Sequence, residues 1–256
     1  GIVAGVDATY RGVAPGARLI ALKVCSDDLP TAACGENQMI AAMDWCMANA
    51  ATYNITVITM SIGGGQFPNY CEGALFPVST KITEARAMGI VTTVASGNDA
   101  SSTGIGYPGC ATNAVSVGAT TKLDVIAAYS NTAPILDILA PGSAIRSTIL
   151  GAGFGLKSGT SMATPHAAGA AALLQAYKQT AQGVALTPAE IETALKTTGV
   201  SLTDPDNGLS FPRIDVFEAY RSVDSGAPTI GYIAPTPANG EIVADTTVTI
   251  RVPSSE

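Results

Sequence analysis

The chain has 256 residues, of which 13 are basic and 20 acidic, giving a net charge of −7; 47% are hydrophobic and only 13% charged. That length suffices for one sizeable core plus a small appendage, and the apolar content excludes a disordered chain, which combines low hydrophobicity with high charge. The acidic balance, without any Lys/Arg cluster, argues against nucleic acid and anionic membrane as partners, and no apolar run approaches the roughly 18–20 residues that span a bilayer.

Gly1-Ile2-Val3-Ala4-Gly5 reads as the middle of a buried helix, and Arg18-Leu19-Ile20-Ala21-Leu22-Lys23-Val24 as a strand. From Glu36 to Ala51 the apolar residues Met39, Ile40, Met43, Cys46 and Ala50 fall at helical spacing. Val57 to Ser61 is a β-branched strand ending in three glycines. A second helix over Ala74 to Met88 stops at Gly89, as helices do when the chain must turn left-handed. Ile90 to Ala95 is a third strand, ending at Gly97-Asn98. Repeated strand–helix units of this kind predict a three-layer α/β fold, with a mostly parallel central sheet covered by helices on both faces. Shorter strands follow over Ala114–Ala119, Val125–Tyr129, Ile135–Ala140, Ala144–Ile149 and Gly153–Lys157. A long helix is expected from Ser161 to Tyr177; its stretch Ala167 to Ala176, the most hydrophobic in the chain, is too short for a membrane and suits a core. Another helix spans Thr187–Thr197, opened by the capping box Thr187-Pro188-Ala189-Glu190. Composition changes near Val223. Ser225-Gly226-Ala227-Pro228 is a linker, and residues 235–240 form a turn between two β-prone runs. Residues 223–256 therefore read as a linker and the start of a β-sandwich (Ig-like) module, a short all-β tail.

Five cysteines stand at 25, 34, 46, 71 and 110, none in a CxxC pair, which argues against zinc. Cys25 and Cys34 bracket a Ser/Asp/Pro loop that a bridge between them would close. Cys71 and Cys110 each follow Pro/Tyr-rich loop sequence, and Cys46 lies in an apolar helical run. Two disulfides and one free thiol are expected, the pairing left open; disulfides would imply an oxidising compartment.

The sharpest chemical signal is Ser158-Gly159-Thr160-Ser161-Met162-Ala163-Thr164-Pro165-His166. It follows a strand and opens a helix. Pro165 is expected in the first turn, where its missing N–H costs nothing, and this puts Ser161 at the helix N-terminus. Free backbone N–H groups and the positive end of the helix dipole favour negative charge there. A serine so placed can attack a carbonyl while its own amide helps hold the oxyanion. Small neighbours, Gly159 and Ala163, let a substrate backbone approach.

The run from Gly159 to Gly169 resembles the nucleophile motif of the subtilisin-like serine peptidases. Five other segments resemble that family in matching order: Gly12 to Ala17, Val57 to Gly64, Val94 to Asn98, Tyr129-Ser130-Asn131 and Leu139 to Gly142. The likeness runs from Gly1 to about Ser222, so residues 1–222 are expected to be a peptidase domain of subtilisin-like fold. The resemblance implies Ser161 as nucleophile and Asn98 as side-chain donor to the oxyanion, beside the Ser161 N–H. It implies Ser61, Ile62 and Gly63 as a strand that pairs with an extended peptide. Ala95, Ser96 and Gly97 would form the wall of the pocket for the residue before the cleaved bond. It further implies an extracellular, monomeric endopeptidase acting on polypeptides through an acyl-enzyme. No cofactor is required for that chemistry; family members often bind structural calcium, and no segment here has a clear calcium-loop pattern.

The family's catalytic order is Asp, His, Ser. Gly1 matches the last glycine of its His-Gly-Thr-His-Val-Ala-Gly segment, which would place the histidine about six residues before Gly1 and the aspartate earlier still. The chain is thus expected to lack the N-terminal part of the domain. His166, the only histidine, is five residues beyond Ser161 on one helix and turned roughly 140° from it, too far round to serve as base. It reads as a buried helix histidine, Lys157 as an exposed lysine and Asp99 as a loop-capping aspartate. Asn98 could also be a turn asparagine in left-handed backbone. Serine-carboxyl peptidases share a Gly-Thr-Ser segment, but the continuation Met162 to His166 favours the subtilisin type. The rival to an enzyme is a catalytically dead, subtilase-like peptide-binding module using the same cleft.

Overall fold

A computed structural model of the chain describes residues 1–26, 34–151 and 153–224. The element order is α1 (Glu36–Ala48), α2 (Ala50–Tyr53), β1 (Val57–Met60), β2 (Gly64–Phe67), α3 (Pro77–Ala87), β3 (Val91–Ala95), β4 (Ile105–Tyr107), β5 (Val115–Thr120), β6 (Ile138–Pro141), β7 (Ile145–Thr148), β8 (Phe154–Lys157), α4 (Thr160–Gln182), α5 (Pro188–Thr197), β9 (Val200–Thr203), β10 (Ser210–Arg213) and α6 (Val216–Val223). The main sheet runs β1-β3-β5-β6-β10-β9, parallel throughout except for the β10–β9 pair. Two ribbons flank it, β2 with β4 and β7 with β8, both antiparallel.

Side-chain alternation along the strands builds the three layers. On one face, Val91, Val115, Val117, Ile138 and Ala140 meet Ala163, Ala167, Ala170 and Leu174 of α4, with α5 and α6 behind. On the other, Met60 and Val94 meet Met39 and Met43 of α1 and Val78, Ile82 and Ala85 of α3. The alanines of α4 let this long central helix lie close against the sheet. A third cluster, around Ile105, Leu136, Leu139 and Phe211, contains both Cys71 and Cys110. The three-layer architecture and the mostly parallel sheet are thus as the strand–helix rhythm predicts. The capping box on α5 forms in both directions: Glu190 N donates to Thr187 Oγ1 at 3.2 Å, and Thr187 N to Glu190 Oε2 at 2.7 Å.

Some expectations are corrected. Arg18 to Val24 is not a strand: it pairs with no other strand, although the outer edge of β1 is open among the described residues. It stands off across a cleft of about 910 Å³, with Leu19 62% exposed. Residues 1–5 form a turn rather than a helix. The first expected helix breaks at Asn49 into α1 and α2. Val125–Tyr129 contributes only a single bridge, Ile126 to Thr120. The cysteines form Cys25–Cys34 and Cys71–Cys110, with Cys46 free and partly buried. The chain divides into Gly1–Val223 and Asp224–Glu256; the expected β-sandwich start, residues 225–256, lies outside the described residues. Among the described residues no helix is long and apolar enough to cross a membrane.

Candidate active site

Ser161 is the second residue of α4, so its N–H has no acceptor inside the helix. Its neighbours fix the surroundings. Asn98, just past the end of β3, turns its side-chain carbonyl to the start of α4. Thr160 N donates to Asn98 Oδ1 at 2.8 Å and Thr160 Oγ1 donates to the same atom at 3.0 Å. With Oδ1 occupied by these two donors, the amide of Asn98 has one orientation, and Nδ2 is its remaining donor. A Cβ on residue 159 would sit 3.6 Å from both Asn98 Nδ2 and Asn98 Oδ1 and 3.7 Å from Ser161 N. Glycine at 159 thus leaves open the space that both donors border.

The end of β1 approaches from the opposite side. Ser161 Oγ donates to Ser61 O at 3.3 Å, and Ser61 Oγ donates to Ser161 O at 2.9 Å. The second bond bears on Pro165, which the structure places in the second turn of α4 rather than the first. Proline has no N–H to give to the carbonyl four residues earlier, which is that of Ser161. The Ser61 hydroxyl takes the vacant place. Ile62 packs on the α1/α3 cluster and Gly63 is exposed beyond it.

Ala95 and Ser96 are buried at the end of β3. Ser96 N donates to Val117 O at 3.0 Å, and Ser96 O accepts from Gly106 N at 2.7 Å. Gly97 N donates to Thr160 Oγ1 at 3.3 Å, so Thr160 joins the Gly97–Asn98 turn to the helix. The fold therefore gathers Ser61, Asn98 and Ser161, which lie far apart in sequence, around one point, with Ala95–Gly97 behind.

The other titratable candidates are elsewhere. His166 donates from Nδ1 to Met162 O at 2.9 Å, and burial pushes its pKa below the usual value. Lys157 is exposed at the end of β8. The Asp99 carboxylate accepts from Asn131 Nδ2 at 2.9 Å. Among the described residues no three His, Cys, Asp or Glu side chains gather as a metal-binding group. A cavity of about 300 Å³ opens beside Ser161, and Gly1, Ile2 and Val3 line it together with Ser61 and Met162. Those first residues are held down by Val13 N donating to Ile2 O and Ala14 N to Val3 O, at 3.0 and 2.7 Å. Reading motifs in sequence overlooked Thr160 as the group that orients Asn98. Its only signal was its position next to the serine.

The model of the Subtilase family matches residues 1–214. Subtilisin E of Bacillus subtilis (strain 168) is 38% identical over 167 residues, covering 64% of this chain and 40% of the relative. An extracellular protease of Xanthomonas campestris pv. campestris is 39% identical over 159 residues, covering 59% of this chain and 26% of the relative. The chain thus spans two fifths or less of the length of these two proteins. The solved structure of the prenylagaramide maturation protease PagA superposes with a TM-score of 0.67 at 22% identity, over 78% of this chain and 71% of the other, a likeness of fold. On the family match over most of its length, the chain belongs to the subtilase family of serine peptidases.

Proposed function

We propose that the protein is a secreted endopeptidase in which Ser161 is the nucleophile and Asn98 the oxyanion donor, with the general-base histidine and its aspartate supplied by residues preceding Gly1. The observation that carries this reading is the Thr160 lock on Asn98: two donors fix Oδ1, so that Nδ2 and the Ser161 N–H border a single open space. In that space a tetrahedral oxyanion meets fixed dipoles that need no rearrangement as charge develops. The cavity lined by Gly1 to Val3 supports the placement of the histidine, because chain arriving at Gly1 comes in beside Ser161. The two disulfides and the kinship with an extracellular protease support secretion.

In this reading an extended polypeptide lies between Ser61–Gly63 and Ala95–Gly97. Ser161 Oγ leaves its bond to Ser61 O and attacks the scissile carbonyl carbon, passing its proton to the imidazole. The carbonyl π electrons move onto oxygen, held by Asn98 Nδ2–H and Ser161 N–H. Collapse breaks the C–N bond, and the imidazolium returns its proton to the leaving amine. Water then hydrolyses the acyl ester by the same steps in reverse. All the groups needed are side chains and backbone amides of one chain, so the proposed chemistry calls on neither a cofactor nor a second subunit, in keeping with a monomer.

The test is casein hydrolysis by the full-length protein and by its Ser161→Ala variant, with a fluorophosphonate probe located by mass spectrometry. Hydrolysis lost in Ser161→Ala and a probe adduct on Ser161 are expected. Residues 1–256 expressed alone should hydrolyse casein negligibly. Robust casein hydrolysis by that chain, abolished by Ser161→Ala, would remove the need for an upstream base. A full-length protein that binds extended peptides without cleaving them would favour a dead peptide-binding module.

A further inference from the structure

We propose that Asn131 is a positioning residue for the oxyanion site: it holds the loop from Ser96 to Ser101 in a strained conformation and thereby sets where the Asn98 amide points. The inference rests on the reading of Asn98 as the oxyanion donor.

Asn131 is fully buried and spends nearly all its polar groups on that one loop. Its side-chain Oδ1 accepts from Asp99 N at 2.8 Å and from Ser101 N at 3.1 Å, and its Nδ2 donates to Asp99 Oδ2 at 2.9 Å. Its own N–H donates to Gly97 O at 3.0 Å, and its carbonyl accepts from Ser96 Oγ at 2.9 Å. These bonds reach the residues on both sides of Asn98 and none goes to Asn98 itself. The loop they grip carries unusual backbone, strained at Ala100. Gly97 has φ +111 and Ala100, which carries a side chain, has φ +54. Backbone in such regions persists only where its surroundings over-determine it. Thr160 fixes the tip of the Asn98 side chain, but it can do so only if the Asn98 backbone is held at the right distance, and that is what Asn131 supplies. A displacement of an ångström at a reacting centre is enough to cost a large factor in rate.

The test uses the full-length enzyme, with kcat expressed per active site by burst titration so that misfolded protein is not counted. Asn98→Ala should lower kcat with little change in KM, and Asn131→Ala should lower kcat about ten- to a hundredfold with KM within about twofold. The double variant should be no slower than the worse of the two singles, because both act through one donor. Asn131→Asp alone sets two carboxylates against each other; adding Asp99→Asn returns a donor to that contact and should restore kcat to within about threefold of the parent. This reciprocal pair decides the matter if Asn131→Ala folds too poorly to titrate. Normal kcat per site in Asn131→Ala, fully additive losses in the double variant, or failure of the reciprocal pair to recover overturns the inference while leaving the proposed function standing. Normal kcat in Asn98→Ala overturns both.

Discussion

Gly97→Ala isolates a steric demand from a backbone one. A Cβ built on residue 97 would lie 2.2 Å from Asn131 Nδ2, a distance that real Cβ atoms essentially never show, and 3.1 Å from its Cγ, tighter than most. Gly97 also has φ +111, in a region almost confined to glycine, where a side chain costs about 1–3 kcal/mol. The Asn131 amide is not a loose end that can swing away. It is buried and makes three side-chain hydrogen bonds, each contributing about 1 kcal/mol net. Alanine at 97 must break some of them or shift the loop, so the total loss should be about 3–5 kcal/mol. Gly183→Ala is the control. That glycine caps α4 with φ +69, but a Cβ there meets nothing within 4 Å, so only the backbone term applies, about 1 kcal/mol. Urea denaturation of the full-length protein measures both. For a domain of this size the corresponding drops in Tm are roughly 6–20 °C and roughly 2–4 °C. Losses equal within about 1 kcal/mol would show that Asn131 yields freely and would refute the claim that the loop is clamped.

Replacing both Cys71 and Cys110 with alanine should destabilise the protein by about 4 kcal/mol, since their bridge closes a 39-residue separation; opening Cys25–Cys34, a separation of nine, should cost about 2.5 kcal/mol, both read from denaturant midpoints without reductant. His166 gives a pH signature. Burial lowers its folded pKa, so the unfolded chain takes up the proton first, and the stability its neutral form contributes is present above about pH 7 and lost progressively as pH falls from the unfolded value of about 6.5 through the lower folded one. Unfolding free energy measured from pH 7 to 5 should therefore fall less steeply in His166→Asn, by up to about 1.4 kcal/mol per pH unit, and an unchanged slope would contradict a neutral, buried His166.

What the sequence determined by itself was the local rhythm and the order of the motifs. The alternation in Val115–Val117–Ala119 and the helical spacing in Met39–Met43 are set by residues a few positions apart, so the layers were legible before any contact was known. The same holds for the capping box at Thr187 and for Ser161 at a helix start. Arg18 to Val24 was misread because a strand is not a property of its own residues alone: it needs a neighbour within hydrogen-bonding reach, and here a cleft separates it from the open edge of β1. Pro165 was placed a turn too early because the group that tolerates it, the Ser61 hydroxyl, is 100 residues away in sequence. The Cys71–Cys110 bridge, the lock of Thr160 on Asn98 and the grip of Asn131 on its loop also join segments far apart in the chain. Each is a hydrogen bond or covalent bond between segments that only the packed fold brings together, α4 against the end of β3 for Thr160 and the loop before β6 against the loop after β3 for Asn131, so tertiary structure alone decides it.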